Sequence, residues 1–299
     1  MTMQWYKTAA VSEPSDTPVD LFESREWALV MEGLGARCWH GVDRENGARV
    51  GLFVWQKGPA KVGYLGFPVT PAWASSPSSI FDVDNLPERV HLLRTNTSML
   101  DSDSVRATVS IGLPECVIPN LENWPVRNAK KAQKDLAFAA RHGVVVRNAT
   151  DQDVDTITSI YLETIARQHG RLRYNRDYFS ALIALSCKSG QIQVRMACHE
   201  NRAIGFCVTA MQSRRGYYLH AGVSEHCRQF GAADLLANDS IRWIISCGGE
   251  SFSLMASPQK QPGLQKFKQK WSEADGEWVV SERSFGLVGT LISAVLKRA

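Results

Sequence analysis

The main candidates for chemistry cluster in one stretch, residues 217–271: YYLHAGVSEHCRQFGAADLLANDSIRWIISCGGESFSLMASPQKQPGLQKFKQKW. Arg228-Gln229-Phe230-Gly231-Ala232-Ala233 stands where a strand-like alternation (Tyr217, Leu219, Ala221) gives way to a helical one (Leu235, Leu236, Ile241, Ile244, Ile245). The first amides of a helix lack intrahelical acceptors, and the aligned peptide dipoles add partial positive charge, so such a turn can hold a phosphate. Arg228, Gln229, Gly231, Ala232 and Ala233 are the candidate donor-binding positions. Gly231 offers no side chain to block an anion, but a glycine here also serves simply to turn the chain.

The same stretch supplies candidates for proton transfer. His220 and Glu225 are the bases nearest the strand, and Tyr218 is a proton donor for a leaving group. On strand parity His220 shares a face with Tyr218 and Gly222. Each also has a plain structural reading, as a hydrogen-bonded strand residue, a solvated carboxylate or a core aromatic. Cys227 has no recognisable histidine–carboxylate pair, and no G-x-S-x-G elbow occurs, so a nucleophilic hydrolase is disfavoured. Acyl transfer by direct attack of an amine needs only a held donor, a base and an oxyanion stabiliser.

The elements that must position these groups can be read around them. Residues 251–255 form a strand after the helix, which Gly248-Gly249 end; 191–198 and 203–212 form a hairpin leading to 217–223. Helices are expected at 125–142, 151–168 and 177–185. The first of these carries Arg127, Lys130, Lys131 and Lys134 along one face, and Arg167, Arg171 and Tyr174 lie at and beyond the end of the second. Two readings stand for the basic stripe: a solvated linker helix, or a face for tRNA or a nucleotide-linked acceptor. Upstream, residues 1–20 read as a loose arm, 23–34 as a helix, 37–42 and 48–56 as a hairpin around Asn46-Gly47, 61–67 as a strand, 86–94 as a helix and 105–111 as a strand. No R-x-x-G-x-A turn occurs there.

Composition sets the outer limits. With 299 residues, 44% hydrophobic and 21% charged, the chain suits one or two globular domains. A net charge of +4 is compatible with a polyanionic partner and does not require one. Seven scattered cysteines without a C-x-x-C pair argue against a zinc site or a disulfide framework; no metal and no prosthetic group are expected, and a cytoplasmic location is. No signal peptide and no transmembrane run are visible. The apolar residues 285–296 read as a docking helix for the first half of the chain, with weak membrane-surface contact as the other reading.

The strand, R-x-x-G-x-A turn, helix and strand resemble the donor half of the GNAT acyltransferase superfamily. The segment GLQKFKQKW at 263–271, together with WPVRNAKKAQKDLAFAARHGVVVR at 124–147 and TSIYLETIARQHG at 158–170, resembles the FemAB-like branch more specifically. Those are tandem-GNAT proteins, among them the peptidoglycan-bridge aminoacyltransferases. The resemblance covers roughly residues 120–275, and the first third only loosely. It implies a mixed α/β fold of two GNAT-like lobes, 1–147 with the linker helix and 148–299 with the donor site, although no sequence repeat links them.

The resemblance also implies an N-acyltransferase with an amine acceptor. The branch uses aminoacyl-tRNA, ordinary GNAT relatives use acyl-CoA, and the longer Fem-like motifs tilt the reading to tRNA. It places Lys268, within Phe267-Lys268, at the transfer site, where a cation meets an oxyanion or a phosphate. The plain alternative is one of three exposed lysines (Lys266, Lys268, Lys270) on a helix that buries Phe267 and Trp271. A binding module that kept the fold and lost the chemistry is the rival from another class.

Overall fold

The computed structural model describes residues 3–7, 21–43, 49–65, 85–97, 109–124, 130–168, 170–257, 261–272 and 274–298. The chain divides into two compact units: residues 1–113 with 277–299, and residues 114–276. In order, the elements are β1 (Met3–Lys7), α1 (Arg25–Gly33), β2 (Arg37–Asp43), β3 (Arg49–Lys57), β4 (Ala60–Leu65), β5 (Leu92–Thr97), β6 (Val109–Ile118), α2 (Lys130–Arg141), β7 (Val145–Asn148), α3 (Val154–Arg167) and α4 (Arg176–Ser186). They continue with β8 (Ile192–His199), β9 (Arg202–Gln212), β10 (Arg215–Val223), α5 (Ala232–Ser246), β11 (Ser251–Ala256), α6 (Pro262–Gln269), β12 (Ala274–Ser284) and α7 (Gly286–Arg298).

The first unit orders its strands β1-β2-β3-β4-β5-β12. The first four are antiparallel, β4 runs parallel to β5, and β5 is antiparallel to β12. The second unit reads β7-β8-β9-β10-β11-β6 with the same senses: three antiparallel pairs, then parallel β10–β11, then antiparallel β11–β6. The repeat that the residues do not display is therefore present in the pairing. In each unit the sixth place is taken by a strand that crosses the unit boundary along the chain.

Local chemistry explains the elements that carry the site. Ser24 caps α1 by accepting the Trp27 N–H, and Asn175 caps α4 by accepting that of Tyr178. The hairpins β8–β9 and β9–β10 turn on Glu200-Asn201 and Ser213-Arg214, all four with positive φ, the twist that two-residue hairpins need. α5 lays Leu236, Ile241 and Ile244 onto one face of the second sheet, beside Phe252, Leu254 and Trp271. α3 and α4 bury Ile157, Ile160, Tyr178, Phe179 and Leu182. α7 lies against β4 and β5 of its own unit, and its Leu287, Leu291 and Val295 stay exposed. Among the described residues no helix is long and apolar enough to cross a membrane.

Some expectations are corrected. The unit boundary falls at 113/114, not at 147, because α2 packs on α5 and β7 hydrogen-bonds to β8. The helix expected at 86–94 is absent: Leu92 to Thr97 are drawn into a strand between β4 and β12, tertiary pairing overriding local pattern. Two strands were not foreseen. β1 lies inside the expected arm, and β12 precedes the last helix. The Asn46-Gly47 turn and the helix start at 125–129 lie outside the described residues.

Candidate active site

β10 hydrogen-bonds to β9 along its length but to β11 only at Arg215–Tyr217 against Ser251–Ser253. Beyond that the two parallel strands part. β10 bulges between Tyr218 and His220, and β11 turns at Met255, whose φ is 66°. Ligands in open α/β sheets sit outside the carboxyl ends of parallel strands, so this opening is the candidate site.

The bulge corrects the expected parity. One extra residue, Leu219, reverses which face the next side chain takes. Tyr218 joins the α5-side core with Leu236, Phe252 and Trp271. His220 instead meets the α4 aromatics: its Nε2 hydrogen-bonds the Tyr178 hydroxyl at 2.7 Å, and the Tyr174 ring lies 4.6 Å away, edge-on. Gly222 stays with His220, close to Ile160 and Thr164 of α3. Burial, with Arg173 adding a smaller repulsion, pulls His220 down to about 3, so the imidazole is neutral at pH 7 and a weak base. Burial also pushes the Tyr218 phenol well above its ordinary value, and its hydroxyl has no partner among the described residues. Ser257, just past β11, has a buried hydroxyl in the same condition. Glu225 is exposed and ion-paired with Arg167 at 2.8 Å.

α6 begins at Pro262, where a missing N–H costs nothing, and its last turn brings Lys268 to the end of β11. Its lysines differ sharply. Lys266 is exposed. Lys268 is 5% exposed, and its ammonium donates to the Met255 and Ala256 carbonyls at 2.9 and 3.0 Å. Burial lowers it from 10.5 to about 8, against the smaller opposing effects of Cys116 and Glu115. An ammonium has three N–H donors, and two have acceptors among the described residues. Lys270 pairs with Asp135 of α2 and with Asp234 in the first turn of α5, and its Nζ lies 5.1 Å over the half-buried Phe267 ring. The expectation of three exposed lysines thus holds for Lys266 alone.

That ion-paired cluster carries a prediction. Lys270→Ala leaves two carboxylates facing each other, Asp234 nearly buried, and is expected to cost about 3 kcal/mol, the lower range for removing one partner of a buried pair. Lys266→Ala, on the surface, is expected to stay within about 0.5 kcal/mol of wild type. Urea unfolding midpoints of the two variants check this; equal midpoints would remove the cluster from the account.

The proposed donor turn is built differently from a bare glycine loop. Residues 225–230 form a 3-10 turn carrying Arg228 and the exposed Gln229, Gly231 takes φ 71°, and Ala232 is buried with Ala233 half-buried. A Cβ added at Gly231 would lie 3.2 Å from Ala139 Cβ and 3.3 Å from the Asp135 carbonyl, so α2 covers that side of the turn. On α2, Lys134 is exposed, Lys130 and Lys131 form the first turn, and Arg127 lies outside the described residues. Arg171 is exposed; Tyr174 is buried, stacked on Tyr178 with ring centroids 4.4 Å apart. Glu115, Asp135, Ser253 and Asp234 are site residues that pattern reading missed. Only Asp234, an acid in a first helical turn, carried a signal.

Residues 126–269 match the family model of the Acetyltransferase (GNAT) domain. Over that span the second unit is similar to a GNAT acetyltransferase domain. The whole chain is similar in fold to FemX, with a TM-score of 0.67 at 11% identity over 94% of this chain and 96% of that one. L-PGS from Bacillus licheniformis gives 0.59 at 11% identity over 93% and 98%. The DUF2156 domain of an Agrobacterium fabrum protein described as a lysylphosphatidylglycerol synthetase gives 0.61 at 12% over 92% of each chain. These likenesses show the fold: mixed α/β, with two GNAT-like lobes in tandem. No curated protein sequence matches this one.

Proposed function

We propose that the chain is an N-acyltransferase in which an acceptor amine attacks the donor carbonyl at the parted ends of β10 and β11. The observation that carries this is Lys268: a buried cation fixed by two carbonyls, whose third N–H has no acceptor among the described residues and can meet a developing oxyanion. The enzyme needs no nucleophile of its own, consistent with Cys227 lying outside any triad.

Aminoacyl-tRNA is the favoured donor. α2 covers the Gly231 side of the turn, where a CoA diphosphate would otherwise approach the backbone amides. A lysylphosphatidylglycerol synthetase, by its name, makes a lysyl-bearing lipid, and this chain is similar in fold to a domain so described. Acyl-CoA is the second reading, supported by the R-x-x-G-x-A order retained at the start of α5.

Thermal unfolding with bulk tRNA and with CoA separates them. A ligand at one hundred times its Kd stabilises by about 2.7 kcal/mol. The expected result is a rise with tRNA that fades as salt increases. Replacing Arg127, Lys130, Lys131 and Lys134 together should flatten that salt dependence, since each phosphate contact releases counterions. A rise with CoA alone selects the acyl-CoA reading, and no rise with either selects a non-catalytic binding module.

A further inference from the structure

The carboxyl end of β11 is held in a backbone conformation that a methionine rarely adopts. Met255 has φ 66°, in the left-handed region. Such a residue persists only where its surroundings over-determine it. Here a buried polar chain does so. Arg215 donates to Glu115 at 2.7 Å; the Ser253 hydroxyl makes a short hydrogen bond to the same carboxylate oxygen; and the Met255 N–H donates to the Ser253 oxygen at 3.0 Å. Glu115 is 2% exposed and Ser253 fully buried. The β6–β11 ladder shifts register between Ser253 and Ala256, the two residues that bracket Met255. The turn aims the Met255 and Ala256 carbonyls at one point, and the Lys268 ammonium occupies it.

We propose that Glu115 and Ser253 are positioning residues for Lys268: they lock Met255 in its left-handed conformation, so that two carbonyls fix the ammonium where the reaction needs it. The inference rests on the transfer role given to Lys268 above, but its test needs no substrate. The groups facing Lys268 are Glu115 and Cys116 from β6, with Arg215 of β10 bonded to Glu115; Lys266 shares its helix and Lys270 caps it.

The experiment is a pH titration of the protein carrying 13Cε-labelled lysine, followed by NMR, with the Lys268 resonance assigned by its loss in Lys268→Arg. Aligned carbonyls favour the charged amine, so losing their alignment lowers its midpoint. Wild type should titrate near 8. Ser253→Ala removes no charge, so a purely structural role leaves the midpoint in place; the expected result is a downward shift. Glu115→Gln should shift it further down, since it also removes a nearby negative charge, while Lys266 is unmoved. Should Ser253→Ala fail to fold, Ser253→Cys fills the same site with a weaker acceptor and the same shift is expected. An unchanged Lys268 midpoint in the folded Ser253 variant overturns the proposal. Turnover of Lys268→Met tests the transfer role separately, so either idea can fail alone.

Discussion

Lys268→Met is expected to fold and to lose on the order of 10² to 10³ in turnover, the effect of removing one preorganised donor from an oxyanion site. Methionine keeps most of the apolar stem and removes only the ammonium, whereas Lys268→Ala also leaves a cavity. Because Lys268 is buried on the Met255 and Ala256 carbonyls, substitution should lower kcat rather than raise KM: the lost contact forms with the oxyanion, not with the bound donor. Lys268→Arg should recover little, since a planar guanidinium does not fit a site built around a compact ammonium. Lys266→Ala is the control. Lys270→Ala is not, because it breaks an ion-paired cluster and changes stability as well.

The same residue sets a pH dependence. In the proposed role its ammonium is the working form, and burial lowers it from 10.5 to about 8. The charged form is complete well below 8 and is lost as pH rises through it, so kcat should fall on the alkaline side with a one-proton limb near pH 8. Lys268→Arg stays charged throughout and should lack that limb. Turnover is measured with whichever donor raises the thermal midpoint. Wild-type kcat in Lys268→Met, or an identical alkaline limb in Lys268→Arg, would remove the lysine from the chemistry.

What the residues reveal and conceal follows from what each feature depends on. The hairpins and the strand–turn–helix of the second unit are local, set by alternation, turn residues and a helical apolar face, so they are legible from β8 to β11. The pairing of β5 and the placement of β1 and β12 depend on partners distant along the chain, and a short run such as Leu92 to Thr97 has no periodicity of its own to announce them. The site divides the same way. Gly231 and Lys268 stood out because they sit in recognisable order. Glu115 did not, because its meaning comes from Ser253, 138 residues away, and from Arg215, 100 residues away. The parity argument for His220 failed for a related reason. A bulge adds one residue without changing the apparent alternation, and every side chain beyond it changes face.

Gly231→Val is expected to destabilise the protein before it says anything about a donor. Two costs combine. Gly231 has φ 71°, and a β-branched residue there is strained by about 1–3 kcal/mol. Its Cβ would also press on Ala139 Cβ at 3.2 Å and on the Asp135 carbonyl at 3.3 Å. Ala139 is fully buried and the second atom belongs to the backbone of α2, so neither is a flexible side-chain end that can swing away, and overpacking of this kind costs about 1–3 kcal/mol more. A loss of roughly 2–6 kcal/mol is therefore expected in the unfolding free energy. Gly231→Ala should show most of the backbone strain and less of the clash. Adding Ala139→Gly to Gly231→Val should relieve the contact but not the strain, so the double variant recovers less than the wild-type midpoint. Urea midpoints of the three variants check this. A Gly231→Val protein as stable as wild type would mean that the turn has room and that α2 does not close that side. The glycine would then be free to serve the anion-binding role that its position at the start of α5 suggests.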